Sequence, residues 1–476
     1  MHVLAANPVP ARSQMGSSLG FHIILACFGI AFAAVTMTAE WIGIRRGDAA
    51  ALLLARRWSK VMALLVAVGA VSGTVLSYEM GLLWPGLMGR FGAAIGFPFS
   101  MEGIFFFLEA IFVGVYLYGW DRLPSWAHWW SGMPIVVSGV LGALSVVAAN
   151  SWMNSPAGYT LSHGKITNVD PWSVFFNAST PYETAHMVLA AYMVTGFLVA
   201  GVYAVGLLRG RRDRYHRLGF AVPFTIAGIC TPLQVLMGDI IARFIANNQP
   251  VKFAAMEYVT TTTRDAPEWV GGIFISGKIY FGAAIPAFDS ILVGFNSHTK
   301  VIGWDSVPPS QRPPLDTLIH LSFDLMVGIG FFLLALAAWQ GWWWWFHRRL
   351  LVSPWFLVPS AVSGVAAVTA MEAGWVVTEV GRQPWIVYRV LLVSQAVTPS
   401  GGVTVTLGVI LVLYAILTVI SIGVPMTMSR RWRRGTLADE EAEQVPYGPS
   451  PTGSSLAEPT APPGVPSASS GRPEGP

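Results

Sequence analysis

Residues 101–120 read MEGIFFFLEAIFVGVYLYGW. Twenty residues of α-helix span about 30 Å, the hydrocarbon thickness of a bilayer. Apart from Glu102 and Glu109 the run carries no charge, so it reads as a membrane-spanning helix. Comparable runs recur from Leu19 to Val424, at roughly 16–42, 61–83, 98–120, 131–150, 181–208, 216–238, 316–340, 353–378 and 403–425. Lipid offers free backbone groups no partner, and runs of this length do not suit the short alternating strands of a barrel. The expected fold is all-α, a polytopic membrane protein of about nine transmembrane helices.

Of 476 residues, 54% are hydrophobic and 11% charged. A soluble domain carries about 25% charged residues, so a soluble globule is excluded. The net charge of +4 comes from Lys and Arg placed beside the apolar runs, where topology accounts for them; no nucleic-acid partner is expected. Cys27 and Cys230 both fall inside apolar runs, which excludes a disulfide framework and a thiolate metal site. The first run is read as a span rather than a cleaved leader, because Arg12 stands there without a basic cluster.

Basic residues collect in alternate connections: Arg45, Arg46, Arg56, Arg57 and Lys60; Arg209, Arg211, Arg212, Arg214 and Arg217; Arg348 and Arg349; and Arg430, Arg431, Arg433 and Arg434. By the positive-inside rule these face the cytoplasm, which puts the C-terminus inside and the N-terminus outside. The run Trp342 to Trp345 reads as an interfacial anchor. The sequence divides into a transmembrane domain, 1–435, and a Pro/Ser/Gly/Ala-rich stretch, 436–476, expected to be a disordered cytoplasmic tail. The longest outer connection, about 239–315, is rich enough in Gly and aromatics to fold on the membrane surface. Structured loops of that size are commonly functional.

Ionisable side chains inside the spans cost about 2.5 to 3.5 kcal/mol each on insertion scales, so each needs a partner or a task. Glu102 and Glu109 are seven apart, about two helical turns, and share one face. That spacing suits proton transfer along the helix, or two carboxylates each paired to a buried donor. Glu372, Trp375 and Glu379 form a similar stripe ahead of Gly381-Arg-Gln-Pro-Trp385. Pro384 is expected to end the helix near Arg382, leaving a cation for an anionic group such as a haem propionate, or for Glu379. His22 and His186 lie among apolar residues, as packing groups or as ligands. Met326 starts at the same outer end as His186. A His/Met pair is one way to hold a low-spin haem, although Met is also an ordinary core filler.

Taken in order, these motifs resemble subunit I, the catalytic haem-bearing subunit of the cytochrome bd quinol oxidases. The resemblance runs from Arg12 through Trp385. It rests on Arg12-Ser-Gln14 followed by His22, Met101-Glu102-Gly with Phe107-Leu-Glu109, Gly119-Trp-Asp-Arg-Leu123 and Ala149-Asn-Ser-Trp-Met153. Further on come His186, Asn248-Gln-Pro250 with Lys252 and Glu257, Met326, and Gly374-Trp375 through Glu379 to Gly381-Arg-Gln-Pro-Trp385. The last is the most specific piece.

The resemblance implies a terminal respiratory oxidase subunit in the bacterial plasma membrane. It implies oxidation of membrane quinol, menaquinol or ubiquinol, and reduction of dioxygen to water, without proton pumping. It implies two b-type haems and one d-type haem, the third being b-type in some readings. His186 and Met326 then ligate the low-spin haem iron. His22 and Glu379 ligate the irons of the active pair, in an order left open, with Glu102 close by. Arg382 holds haem propionate, and Trp375 lies between haems. Lys252 and Glu257 handle quinol, and Glu109 with Glu102 delivers protons. Subunit II is the expected partner, with membrane lipid around the bundle and a small accessory subunit left open.

Two residues depart from the family pattern. Asp324, two positions before Met326, stands where a basic residue is expected, and an acid there is expected to lower the low-spin haem potential. Glu79 stands where an uncharged residue is usual. Two alternatives stay open: a divergent haem–quinol oxidoreductase lacking oxygen reduction, and a proton-coupled transporter, which the lack of evident inverted repeats disfavours.

Overall fold

In the computed structural model, residues 8–162 and 165–434 are described. The expected tail, 436–476, lies outside the described residues. In chain order the helices are α1 (Pro8–Arg46), α2 (Ala49–Leu83), α3 (Pro85–Gly119), α4 (Ser125–Asn154), α5 (Pro171–Phe175), α6 (Thr180–Leu208), α7 (Arg214–Asn248), α8 (Pro250–Met256), α9 (Phe288–Gly294), α10 (Asp316–His347), α11 (Pro354–Gly381), α12 (Val393–Ala396) and α13 (Val403–Arg434). Nine of these, among the described residues, are long and apolar enough to cross a membrane, as expected: α1 to α4, α6, α7, α10, α11 and α13.

Most helices outrun the apolar windows that announce them. α7 continues to Asn248, so the first ten residues assigned to the long connection are helical; Asp239 and Arg243 pair at 2.8 Å one turn apart and extend it. Hydropathy marks only the part of a helix that lipid covers, whereas its hydrogen bonding continues into the interface. Helix starts follow local chemistry. Asp48 caps α2 by accepting from the Ala50 and Ala51 amides, and Pro85 and Pro354 open α3 and α11, where a missing N–H costs nothing. α11 stops at Gly381, as Pro384 requires.

α1 lies at the centre, packed against α2, α4, α6, α7 and α13. A helix with neighbours all round is apolar all round, and Cys27, Ala31, Ala33, Val35 and Ala39 are all buried. α1 and α4 approach closely at Gly139, where a Cβ would sit 3.0 Å from the Gly29 oxygen, the small-residue packing usual between membrane helices. A second group forms where α6 packs on α7 and α11, and α10 packs on the same two. α6 and α10 therefore stand diagonally across that group. α13 is peripheral, with Val405, Val409, Val412 and Val419 exposed.

The non-basic connections meet at one end of the bundle. The Thr398 amide donates to the Leu83 carbonyl (2.9 Å) and that of Tyr388 to Met153 (2.9 Å). The basic connections meet at the other end, where Arg214 pairs with Asp48 and Arg56 with Asp121. Between α7 and α10 the chain forms α8, two strand pairs (268–270 with 283–285, 273–275 with 278–280) and α9. The assembly sits on the start of α10: the Phe274 amide donates to Thr317 Oγ1 (3.1 Å), and the Tyr258 ring stacks on His320, centroids 3.9 Å apart.

Two further histidines, His128 and His320, are fully buried. His128 Nδ1 lies 2.7 Å from Glu40 Oε1, with Tyr116 donating to the same carboxyl. His320 lies against the Met256 and Gly271 carbonyls.

Candidate active site

His22 on α1 faces Ser72 on α2, with Nδ1 and Oγ 2.9 Å apart. The hydroxyl has two backbone carbonyls in reach of its one hydrogen, Gly69 (3.0 Å) and Val68 (3.3 Å), and with the hydrogen on either it accepts from His22. Nδ1 then carries the ring hydrogen and Nε2 keeps its lone pair, the state in which a neutral imidazole ligates a metal.

His186 and Met326 occupy the diagonal helices α6 and α10. Gln234 of α7 places its amide nitrogen 3.3 and 3.2 Å from the His186 ring nitrogens, so it can donate to one of them only. Met326 points at Gly374 of α11: a Cβ there would lie 2.7 Å from the sulfur. Glycine at 374 is therefore what gives the thioether its place.

At the end of α11, Glu379 accepts from Asn150 Nδ2 of α4 (2.8 Å) and pairs with Arg382. Arg382 is buried, and its Nε and Nη1 have no hydrogen-bond partner among the described residues. A buried guanidinium in that state is a site for an anion. One stripe of α11 rests on α1, with Trp375 4.0 Å from the Cβ positions of Gly16 and Gly20, and Glu372 3.5 Å from the latter. His22 follows two residues on. Farther along α1, Glu109 of α3 comes within 3.3 Å of the Gly29 Cβ position, and Glu102 lies two turns back toward the loop end.

Lys252 and Glu257 are both buried at 3% exposure yet face different neighbours. Lys252 lies along Gly381, whose Cβ would be 3.0 Å from Lys252 Cγ. Burial pushes its ammonium down to about 8, against the pull of Glu183, with Arg382 lowering and Glu379 raising it further. Burial pushes Glu257 well up, helped by Asp289, Glu268 and Asp324. The structure thus joins Lys252 to the α11 terminus and leaves Glu257 in a separate carboxyl group.

Of the two departures, Asp324 accepts from the Gly271 amide and lies 3.4 Å from His320 Nε2, which ties its charge to the loop. Glu79 is buried and accepts from Gln14 Nε2 (2.9 Å). Sequence reasoning missed Ser72, Gln234 and Glu183, which carry no local signal. It quoted Asn150 inside a motif without a role.

The donor set suits iron porphyrins: an imidazole with a free Nε2, an imidazole and a thioether on diagonal helices, and a carboxylate beside a guanidinium with unpartnered nitrogens. Fold and site together define a polytopic haem-dependent membrane oxidoreductase. Residues 10–433 match the family described as cytochrome bd terminal oxidase subunit I, and the chain belongs to that family.

A Bacillus subtilis (strain 168) relative, provisionally named cytochrome bd menaquinol oxidase subunit I, is 33% identical over 86% of this chain and 93% of its own. The cytochrome bd ubiquinol oxidase subunit 1 of the same organism is 28% identical over 82% of this chain and 86% of its own. The solved bd oxidase of Geobacillus thermodenitrificans superposes with a TM-score of 0.84 at 34% identity, over 90% of this chain and 99% of that one. As a member, this chain is an electron-transport oxidoreductase subunit, multi-pass in the bacterial plasma membrane, and haem is its cofactor class.

Proposed function

We propose that this chain is the catalytic subunit of a quinol oxidase that oxidises membrane quinol near α8 and reduces dioxygen to water through three haems, two b-type and one d-type. The observation that carries the reading is the buried Arg382, with two unpartnered nitrogens, beside Glu379. His186 and Met326 would hold the low-spin iron, His22 and Glu379 the other two, and Arg382 a propionate. Haem, when bound, supplies electron transfer and oxygen reduction.

The protein supplies orientation and proton movement. Ser72 directs His22. Asn150 and Arg382 hold Glu379 in place. Lys252, with its ammonium lowered to about 8 by burial, and Glu257, raised by burial, suit taking up and releasing quinol protons. Glu109 and Glu102 pass protons along α3. Trp375 packs from α11 against α1. With the basic connections cytoplasmic, the N-terminus and α8 lie outside, so quinol protons leave outward while protons for water enter from within. That separates charge without pumping. Subunit II covers part of the exposed helix surface.

Family membership leaves the transporter reading without support. A reduced-minus-oxidised spectrum of the purified complex, with quinol-driven oxygen consumption, tests the rest. A far-red chlorin band with turnover is expected. Haem without oxygen uptake would instead identify an oxidoreductase that has lost oxygen reduction.

A further inference from the structure

α7 opens with Arg214, Arg217, Leu218 and Ala221 at i, i+3, i+4 and i+7, which places all four on one face of its first turns. Ala221 lies about 10 Å farther along the helix than Arg214. The face therefore passes from guanidinium to hydrocarbon as the helix enters the bundle. With Arg212 from the connection before α7 and Leu350 from the connection after α10, it lines a cavity of about 360 Å³ at the basic end of the molecule.

The charges around this cavity do not balance. Arg214 pairs with Asp48, whose other oxygen accepts from the Ala50 and Ala51 amides. Asp213 is occupied by His216, with Oδ2 and Nδ1 2.6 Å apart. Arg212 and Arg217 are exposed and have no carboxylate partner among the described residues. Topology asks only for positive charge somewhere in this connection, which Arg209 and Arg211 also supply. It does not ask for two unpaired guanidiniums beside an apolar wall.

The aromatic residues nearby set the depth. Trp342, Trp344 and Trp345 in the last turns of α10 are exposed, and the Arg348 guanidinium lies 4.5 Å from the centre of the Trp344 ring. Such a belt marks the level of lipid headgroups. Leu350 follows Arg348 by two residues, so the cavity lies at that level too.

We propose that this cavity is a binding site for one anionic phospholipid. The phosphodiester accepts from the Arg212 and Arg217 guanidiniums, whose planar forks match phosphate oxygens, and Arg214, fixed by Asp48, walls the site. Leu218, Ala221 and Leu350 cover the glycerol and the first acyl carbons. A free phosphate would use the same arginines and leave that apolar wall uncovered.

In the purified two-subunit complex, binding of phosphatidylglycerol and of phosphatidylcholine with the same acyl chains is followed by native mass spectrometry, with inorganic phosphate as competitor. The wild-type complex is expected to hold one phosphatidylglycerol more tightly than any phosphatidylcholine. Arg212→Gln with Arg217→Gln should weaken that lipid about 30-fold, the order expected for two arginines at a lipid surface, and leave phosphatidylcholine unchanged. The corresponding lysine pair should recover part of the loss, because charge returns without the fork. Ala221→Phe, which fills the apolar part and alters no charge, should also weaken phosphatidylglycerol.

Equal binding of the two lipids by the wild-type complex overturns the proposal, and that comparison needs no variant to fold. Undiminished phosphatidylglycerol binding in the glutamine pair overturns it as well. Displacement of the lipid by an equal concentration of inorganic phosphate, with Ala221→Phe without effect, would make this a site for a free anion and overturn the lipid assignment.

Discussion

The Ser72 hydroxyl meets His22 Nδ1 at 2.9 Å with the Gly69 carbonyl 3.0 Å away to take its hydrogen, an arrangement in which one serine on α2 leaves Nε2 of the imidazole on α1 free. Removing such an orienting contact typically costs about 10- to 100-fold in metal affinity or activity. If His22 ligates haem as proposed, Ser72→Ala is therefore expected to weaken retention of that haem by that order. Haem per polypeptide after detergent washing measures it, and full retention would show that the ring is oriented by packing alone.

Met326 owes its position to Gly374, where an added Cβ would come within 2.7 Å of the sulfur. Gly374→Ala is expected to displace the thioether and shift the low-spin absorption band. His186→Ala and Met326→Leu should abolish that band while leaving the chain inserted. An unchanged b-type spectrum in both ligand variants would refute the pair.

Glu109 lies against α1 at Gly29, two turns from His22 along that helix. If it delivers protons for water formation, Glu109→Gln should slow oxygen turnover at least about 100-fold, the lower end of what a positioned acid–base group contributes, with quinol KM nearly unaltered. Stopped-flow oxygen reduction by the fully reduced enzyme is the direct measurement. Normal rates there would take Glu109 off the path.

Burial holds the Lys252 ammonium down to about 8, so the side chain is mainly protonated below that pH and mainly free amine above it. As a base toward quinol it becomes competent as pH rises, and kcat/KM should climb between about pH 7 and about pH 9. Lys252→Met should flatten that limb. A limb surviving in the variant would belong to another group, Glu257 being the next to examine.

Much of the architecture was legible because a bilayer imposes its demands one helix at a time. Each span needs its own run of apolar residues, and a charge inside it stands out, as Glu102, Glu109, Glu372 and Glu379 do. Arg382 stood out through Pro384, which stops α11 wherever the helix packs. Helix ends were less legible: Asp239 to Asn248 are polar enough to pass for loop, yet their backbone completes the α7 ladder.

The partners of those residues were hidden in the linear order. Asn150 and Glu379 are 229 positions apart and bond at 2.8 Å; His22 and Ser72 are separated by 50. Lys252 and Glu257, five residues apart, read as one quinol-handling unit, but Lys252 lies along Gly381 of α11, while the acids that raise Glu257 are Asp289, Glu268 and Asp324. Residue order alone settled that the chain crosses the membrane as helices and which side chains are too costly to be idle there, since burial in lipid penalises each helix locally. Which of them touch, and which imidazole nitrogen stays free, arose from packing between helices, because a hydrogen bond depends on where two distant segments meet.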